Sequence, residues 1–176
     1  MVTSGLAIHG VKFLSSFDQT LRILTDSRNS IFSGLMPLEM EQKHPDFWKN
    51  DTDEGGKNLY EKKFLEAQLQ RLREDLKFEY YKITNLKSGK QLADSFNSLK
   101  ENDLTVIVYN FVDMISHAKT EMEVIKELAS DDKAYRSLTN SWFLNSPLLE
   151  MIQKAQKLGL KLIITTDHGT INSKAP

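Results

Sequence analysis

Cysteine is absent from this 176-residue chain. That excludes a disulfide framework and a thiolate-held zinc, and leaves His, Asp, Glu and hydroxyl oxygens as the available metal ligands. Histidine is scarce, and His9, His44, His117 and His168 are the whole supply. No stretch approaches the ~20 consecutive apolar residues that a bilayer span needs. The opening segment, Met1 to Leu14, is broken by His9 and Lys12 and lacks the apolar core of a signal peptide. Neither sign of charge dominates, and a formal net charge of -1 gives no global attraction to nucleic acid or to an anionic membrane. Internal repeats and low-complexity tracts are also missing. These absences lead one to expect a soluble, cytoplasmic protein with no membrane association. The 40% hydrophobic content is enough to bury a core, and the length suits one domain over residues 1–176.

What is present reads as alternating strands and helices. Leu76 to Ile83 (LKFEYYKI) alternates apolar with polar residues and is short enough for a strand. Ser88 to Lys100 follows as a helix, with Leu92, Phe96 and Leu99 spaced to share one face. Leu104 to Tyr109 (LTVIVY) is almost wholly apolar, as a parallel strand buried on both faces should be. A longer crossover of two or three helices then leads to Leu160 to Thr166 (LKLIITT), the next strand. Its last helix has Ser146 as N-cap, Pro147 at the first helical position and Gly159 as its terminator, with Leu148, Ile152 and Ala155 as its apolar stripe. Strand, helix, strand, helix, strand predicts an α/β fold with a parallel sheet and helices on both faces.

Upstream, Gly56 to Glu74 reads as an amphipathic helix with Leu65, Leu69 and Leu72 on one face. The polar connection Gln42 to Gly55 carries Phe47 and Trp48, which serve either as a contact surface or as packing for the loop itself. Gly55-Gly56-Lys57 lacks the spacing and preceding strand of a phosphate loop. Leu6 to Leu14 suits a strand and Phe17 to Leu24 a short helix.

Two of the predicted strands run into clusters of metal-ligand residue types: Asn110 to His117 (NFVDMISH), and Thr165 to Thr170 (TTDHGT). Open α/β sheets bind ligands beyond the carboxyl ends of their strands. Asp113 and His117, four apart, lie on one side of a helical turn; equally, Asp113 suits an N-cap with His117 an ordinary exposed side chain. Asp167 and His168 can both turn toward a metal once the chain leaves the strand, with Gly169 relieving the turn, or they simply form a polar turn. Their joint occurrence favours a metal site, because half of the histidines in a histidine-poor chain stand close to an aspartate at such a strand end.

The strings NFVDMISHA and LIITTDHGT, with SRNSIFSGLMP upstream and the stretch Trp48 to Asn58 between, resemble the PglZ domain of the alkaline phosphatase superfamily. Over about Ser27 to the end the chain resembles the output domain of PorX-type response regulators, from bacteria with type IX secretion. The resemblance implies an alkaline-phosphatase-like core and two zinc ions, one held by Asp113 and His117 and the other by Asp167 and His168. It also implies a threonine nucleophile, for which Thr25 is nearest although one residue out of the expected spacing to Arg28-Asn29. Either of those two residues would contact phosphate, with Arg28 equally suited to a surface ion pair, and the implied substrate is a phosphodiester such as a short or cyclic oligonucleotide. The family's further aspartate ligand, its downstream histidine and the receiver domain of the response regulators have no counterpart here. The expectation is therefore of a core partial at both ends, with residues 1–24 a diverged N-terminal segment. The alternative function is a catalytically silent regulatory module of a two-component system, acting as a homodimer or through a regulatory protein partner.

Overall fold

The computed structural model describes residues 6–7, 27–49, 57–110, 122–129 and 131–167. The chain divides into a helical unit, Gly10–Leu76, and a sheet unit made of Met1–His9 with Lys77–Pro176.

In the helical unit, α1 (Ser27–Ser33), α2 (Pro37–Lys43) and α3 (Glu61–Leu72) enclose Phe32, Leu35, Met40, Phe64, Leu65 and Leu69. Gly34 follows α1 with φ +61, and its N–H donates to Ser30 O at 2.8 Å, closing the helix in the left-handed conformation that glycine adopts without strain. The Arg71 guanidinium then donates to Ser33 O at 2.6 Å, tying the last turn of α3 to the end of α1. The helix expected over Gly56 to Glu74 is shorter, entered through a 3-10 turn at Lys57–Leu59 and ended by Arg73 at φ 57. Leu72, expected on its apolar face, is 48% exposed, whereas Phe64 is fully buried. The leucine spacing had captured only part of the inward face.

In the sheet unit, among the described residues, four strands, β1 (Leu6–Ala7), β2 (Phe78–Ile83), β3 (Leu104–Tyr109) and β4 (Ile163–Ile164), lie in the order β2-β3-β1-β4. β2 and β3 pair in parallel from Phe78↔Leu104 to Ile83↔Tyr109, the βαβ unit expected from the sequence. β1 pairs antiparallel with both β3 and β4, so the sheet is mixed, not all-parallel. A two-residue strand from far upstream carries no periodicity of its own, and its place is set by long-range pairing alone. β3 and β4 still run in the same direction, since each opposes β1.

β2 leads into α4 (Leu86–Asp94), where the Asn85 side chain accepts the Ser88 N–H at 2.9 Å, two residues ahead of the predicted start. The predicted single helix breaks at Ser95, whose hydroxyl donates back to Gln91 O at 3.1 Å, and continues as a 3-10 turn over Phe96–Glu101. Leu92, Phe96 and Leu99 are nonetheless all buried, as their spacing predicts. The crossover to β4 contains α5 (Glu123–Leu128), α6 (Asp132–Leu144) and α7 (Pro147–Lys157) among the described residues. α7 begins as its sequence dictates: Ser146 Oγ accepts the Leu149 N–H at 3.3 Å, Pro147 occupies the first turn, and Gly159 at φ +67 follows the end. Lys154 Nζ donates to Ala93 O at 2.6 Å and pairs with Glu150 at 2.8 Å, fastening α7 to the last turn of α4. The core lies between these helices and one sheet face, with Ile83, Ile107 and Tyr109 meeting Leu92, Phe96, Leu148 and Met151. Leu104, Val106 and Val108 are buried too, which explains the near-continuous apolar run of β3. No described helix is long and apolar enough to cross a membrane.

Candidate functional site

Of the site candidates, Asp167 is described, three residues beyond the end of β4, and Asn110 directly follows β3. β3 holds its line because β-branched residues at Thr105, Val106, Ile107 and Val108 suit a pleated surface. The ladder with β2 extends one step past it, since the Asn110 N–H donates to Ile83 O at 3.2 Å. Leu6 of β1 pairs with both Ile107 and Ile164, which sets these two residues level across the sheet. Asn110 and Asp167 each follow three residues later, Asn110 directly after β3 and Asp167 three residues past the end of β4. At the level of Leu6, β1 stands between Ile107 and Ile164, a separation of about two strand spacings of ~4.8 Å.

Asp167 is half-buried at a bend beyond β4, with its Oδ1 shielded from solvent. A carboxylate so placed has the donor chemistry that zinc accepts. Thr25, Asp113, His117 and His168 lie outside the described residues. Among the described residues, no three His, Asp or Glu side chains form a group that could hold a metal ion.

Arg28 and Asn29, the residues expected to contact phosphate, are 9% and 2% exposed. Arg28 Nη1 lies 3.5 Å from Glu61 Oε1, and Glu61 is itself 1% exposed at the first turn of α3. The guanidinium is thus engaged in a buried ion pair inside the helical unit. An ion pair was one of two expected roles for Arg28, but on the surface; its burial was not legible, because the partner comes from a separate helix. Phe47 likewise packs inward: its ring stacks on His44 at 5.7 Å and meets Tyr60 at 5.9 Å and Phe64 at 6.0 Å. That removes it from a free contact surface and gives His44, which also meets Phe64 edge-on at 6.0 Å, a packing role. Asn110 was not singled out from the sequence, where an asparagine at a strand end reads as an ordinary turn residue.

A βαβ unit, a sheet edge gathering two like-directed strand ends, and a shielded carboxylate on that edge fit an α/β domain of the alkaline-phosphatase-like class. The chain belongs to the PglZ family: residues 9–176 match the family model of the BREX system PglZ alkaline phosphatase-like domain. A comparison with the curated proteins finds no match.

Proposed function

We propose that this domain hydrolyses a phosphoric ester, with an oligonucleotide-like phosphodiester as substrate and zinc as cofactor. The observation that carries the reading is the shared edge. β3 and β4 run in one direction and are level through Leu6, and each Asp/His-bearing segment follows one of them. Membership of an alkaline phosphatase-like family supports the same chemistry.

In this reading Asp113 and His117 hold one metal ion, and Asp167 and His168 hold the other. When bound, zinc would lower the pKa of a nucleophilic hydroxyl and neutralise charge on the phosphoryl oxygens. Thr25 Oγ1 attacks phosphorus, the ester oxygen departs, and water then cleaves the phosphothreonine to restore the hydroxyl. The shielding of Asp167 Oδ1 keeps that oxygen from water, which strengthens its attraction for a cation. The strings NFVDMISHA and LIITTDHGT support a further assignment to the PorX-type branch, whose output domains act in two-component signalling.

The test is turnover of bis(p-nitrophenyl) phosphate at saturating zinc. Zinc-dependent release of nitrophenol, abolished by Asp167→Ala and by His168→Ala, is the expected result. A folded, zinc-saturated protein with no turnover would overturn the activity and leave the fold assignment intact.

A further inference from the structure

Gln68, on the inward face of α3, is only 6% exposed, yet among the described residues its side-chain amide has no hydrogen-bond partner. Neither amide atom is sealed from solvent, so the group ends at the surface of the helical unit. A largely buried amide with its hydrogen-bonding capacity unused calls for an explanation. The opening lies at Gly34. A Cβ built there would collide with Gln68 Nε2 and stand 3.1 Å from Arg71 Nη2, so two N–H donors converge on the bare side of this exposed glycine.

Arg71 spends a donor on Ser33 O at 2.6 Å, which fixes its guanidinium, and a guanidinium has five. It makes no ion pair among the described residues. The Glu39 carboxylate, which senses Arg71, is already held by the Met36 N–H at 3.0 Å and by Lys43 Nζ at 3.2 Å. The surround is apolar. Leu72 stands one turn beyond Gln68 on the same face of α3 and is 48% exposed, while Met36 and Leu38, just past Gly34, are 57% and 64% exposed.

We propose that Gln68 and Arg71, converging beside Gly34, bind the C-terminal carboxylate of a partner peptide whose last side chains are apolar and rest on Leu72 and Met36. A guanidinium held in place beside an amide N–H offers paired, charge-assisted donors to a carboxylate. A chain end carries its carboxylate directly next to a side chain, as an apolar rim around a polar notch requires. The site lies wholly within the helical unit and is independent of the hydrolase chemistry.

The probes are N-acetyl-dileucine with a free carboxylate, the same dipeptide as its C-terminal amide, and acetate. Each is titrated into the isotope-labelled 176-residue chain, and NMR follows the Gln68 side-chain amide and Arg71 Nε–H signals. The carboxylate form should shift these signals saturably, with the dipeptide amide binding at least about tenfold more weakly for want of a charged acceptor. Acetate, which lacks the apolar side chains, should also bind more weakly. Gln68→Glu, near-isosteric but repelling a carboxylate, and Gln68→Met, apolar and of similar length, should each raise the Kd about tenfold or more, with circular dichroism reporting their folding. A folded variant that binds as the wild type does would overturn the assignment. So would equal binding of the dipeptide amide, equal binding of acetate, which would reduce the site to an anion spot, or no saturable shift at these signals. If neither variant folds, the three wild-type titrations decide alone.

Discussion

Glu61→Ala is expected to destabilise the helical unit by about 3–5 kcal/mol, the cost of stranding a buried charge. The magnitude follows from the pair's surroundings. Arg28 is 9% and Glu61 1% exposed, with 3.5 Å between Nη1 and Oε1. At that distance, and at an effective dielectric of about 20, the attraction is about 5 kcal/mol, most of it offset by the desolvation of both groups. The net value of the pair is therefore small, and the loss on breaking it is large. Glu61 also sits in the first turn of α3, where the helix dipole adds about 0.3–1 kcal/mol for a carboxylate. Arg28→Met should cost a similar amount, because it breaks the same buried pair from the other side. The double variant Arg28→Met/Glu61→Leu should recover most of the loss, since apolar replacement of a whole buried pair is commonly neutral or stabilising. Urea denaturation followed by circular dichroism reads the free energies, and amide exchange on peptides from α1 and α3 locates them. Single variants that each cost less than about 1 kcal/mol, the range of an exposed pair, would refute the reasoning.

Further outcomes follow from the sheet unit and from α2. Gly89→Ala should destabilise by about 1–3 kcal/mol, although alanine is the better helix former, because its Cβ would lie 2.7 Å from the Tyr109 hydroxyl; thermal unfolding measures it. Ser146→Ala should cost about 1–2 kcal/mol by chemical denaturation, since its hydroxyl both caps α7 and donates to Phe143 O at 2.8 Å in a buried position. The Glu39 carboxyl is held below its ordinary value near 4.5, first by the Met36 N–H and then by Lys43. Its folded pKa is thus the lower one, so its stabilisation is complete above the unfolded value and is lost as pH falls through the folded one. NMR titration should show the depressed value, and Glu39→Gln should flatten the acid limb of the stability profile.

The elements legible in the sequence are those whose signals are local. The apolar run of β3, the alternation of β2 and the Ser146-Pro147 start of α7 each encode their own conformation within a few residues, and each was found where expected. Signals that depend on distant partners were not legible. The antiparallel β1 owes its place to Ile107 and Ile164. Arg28 read equally as a phosphate ligand or a surface ion-pair partner because its buried partner stands at the start of α3, and the polar inward face of α1, with Ser27, Asn29 and Ser33 all buried, has no hydrophobic period to read. At the candidate site the sequence indicated which strands end in metal-ligand types. The register adds that β3 and β4 run the same way with Ile107 and Ile164 level across β1, a relation that pairing sets and composition does not.

The most direct test of the proposed metal chemistry is anomalous diffraction at the zinc edge from crystals grown with zinc. The account predicts zinc at the edge where β3 and β4 end, with Asp113, His117, Asp167 and His168 oxygens and nitrogens at about 2.0–2.2 Å. Zinc absent from that edge in zinc-saturated crystals, or bound there without these side chains, would contradict it.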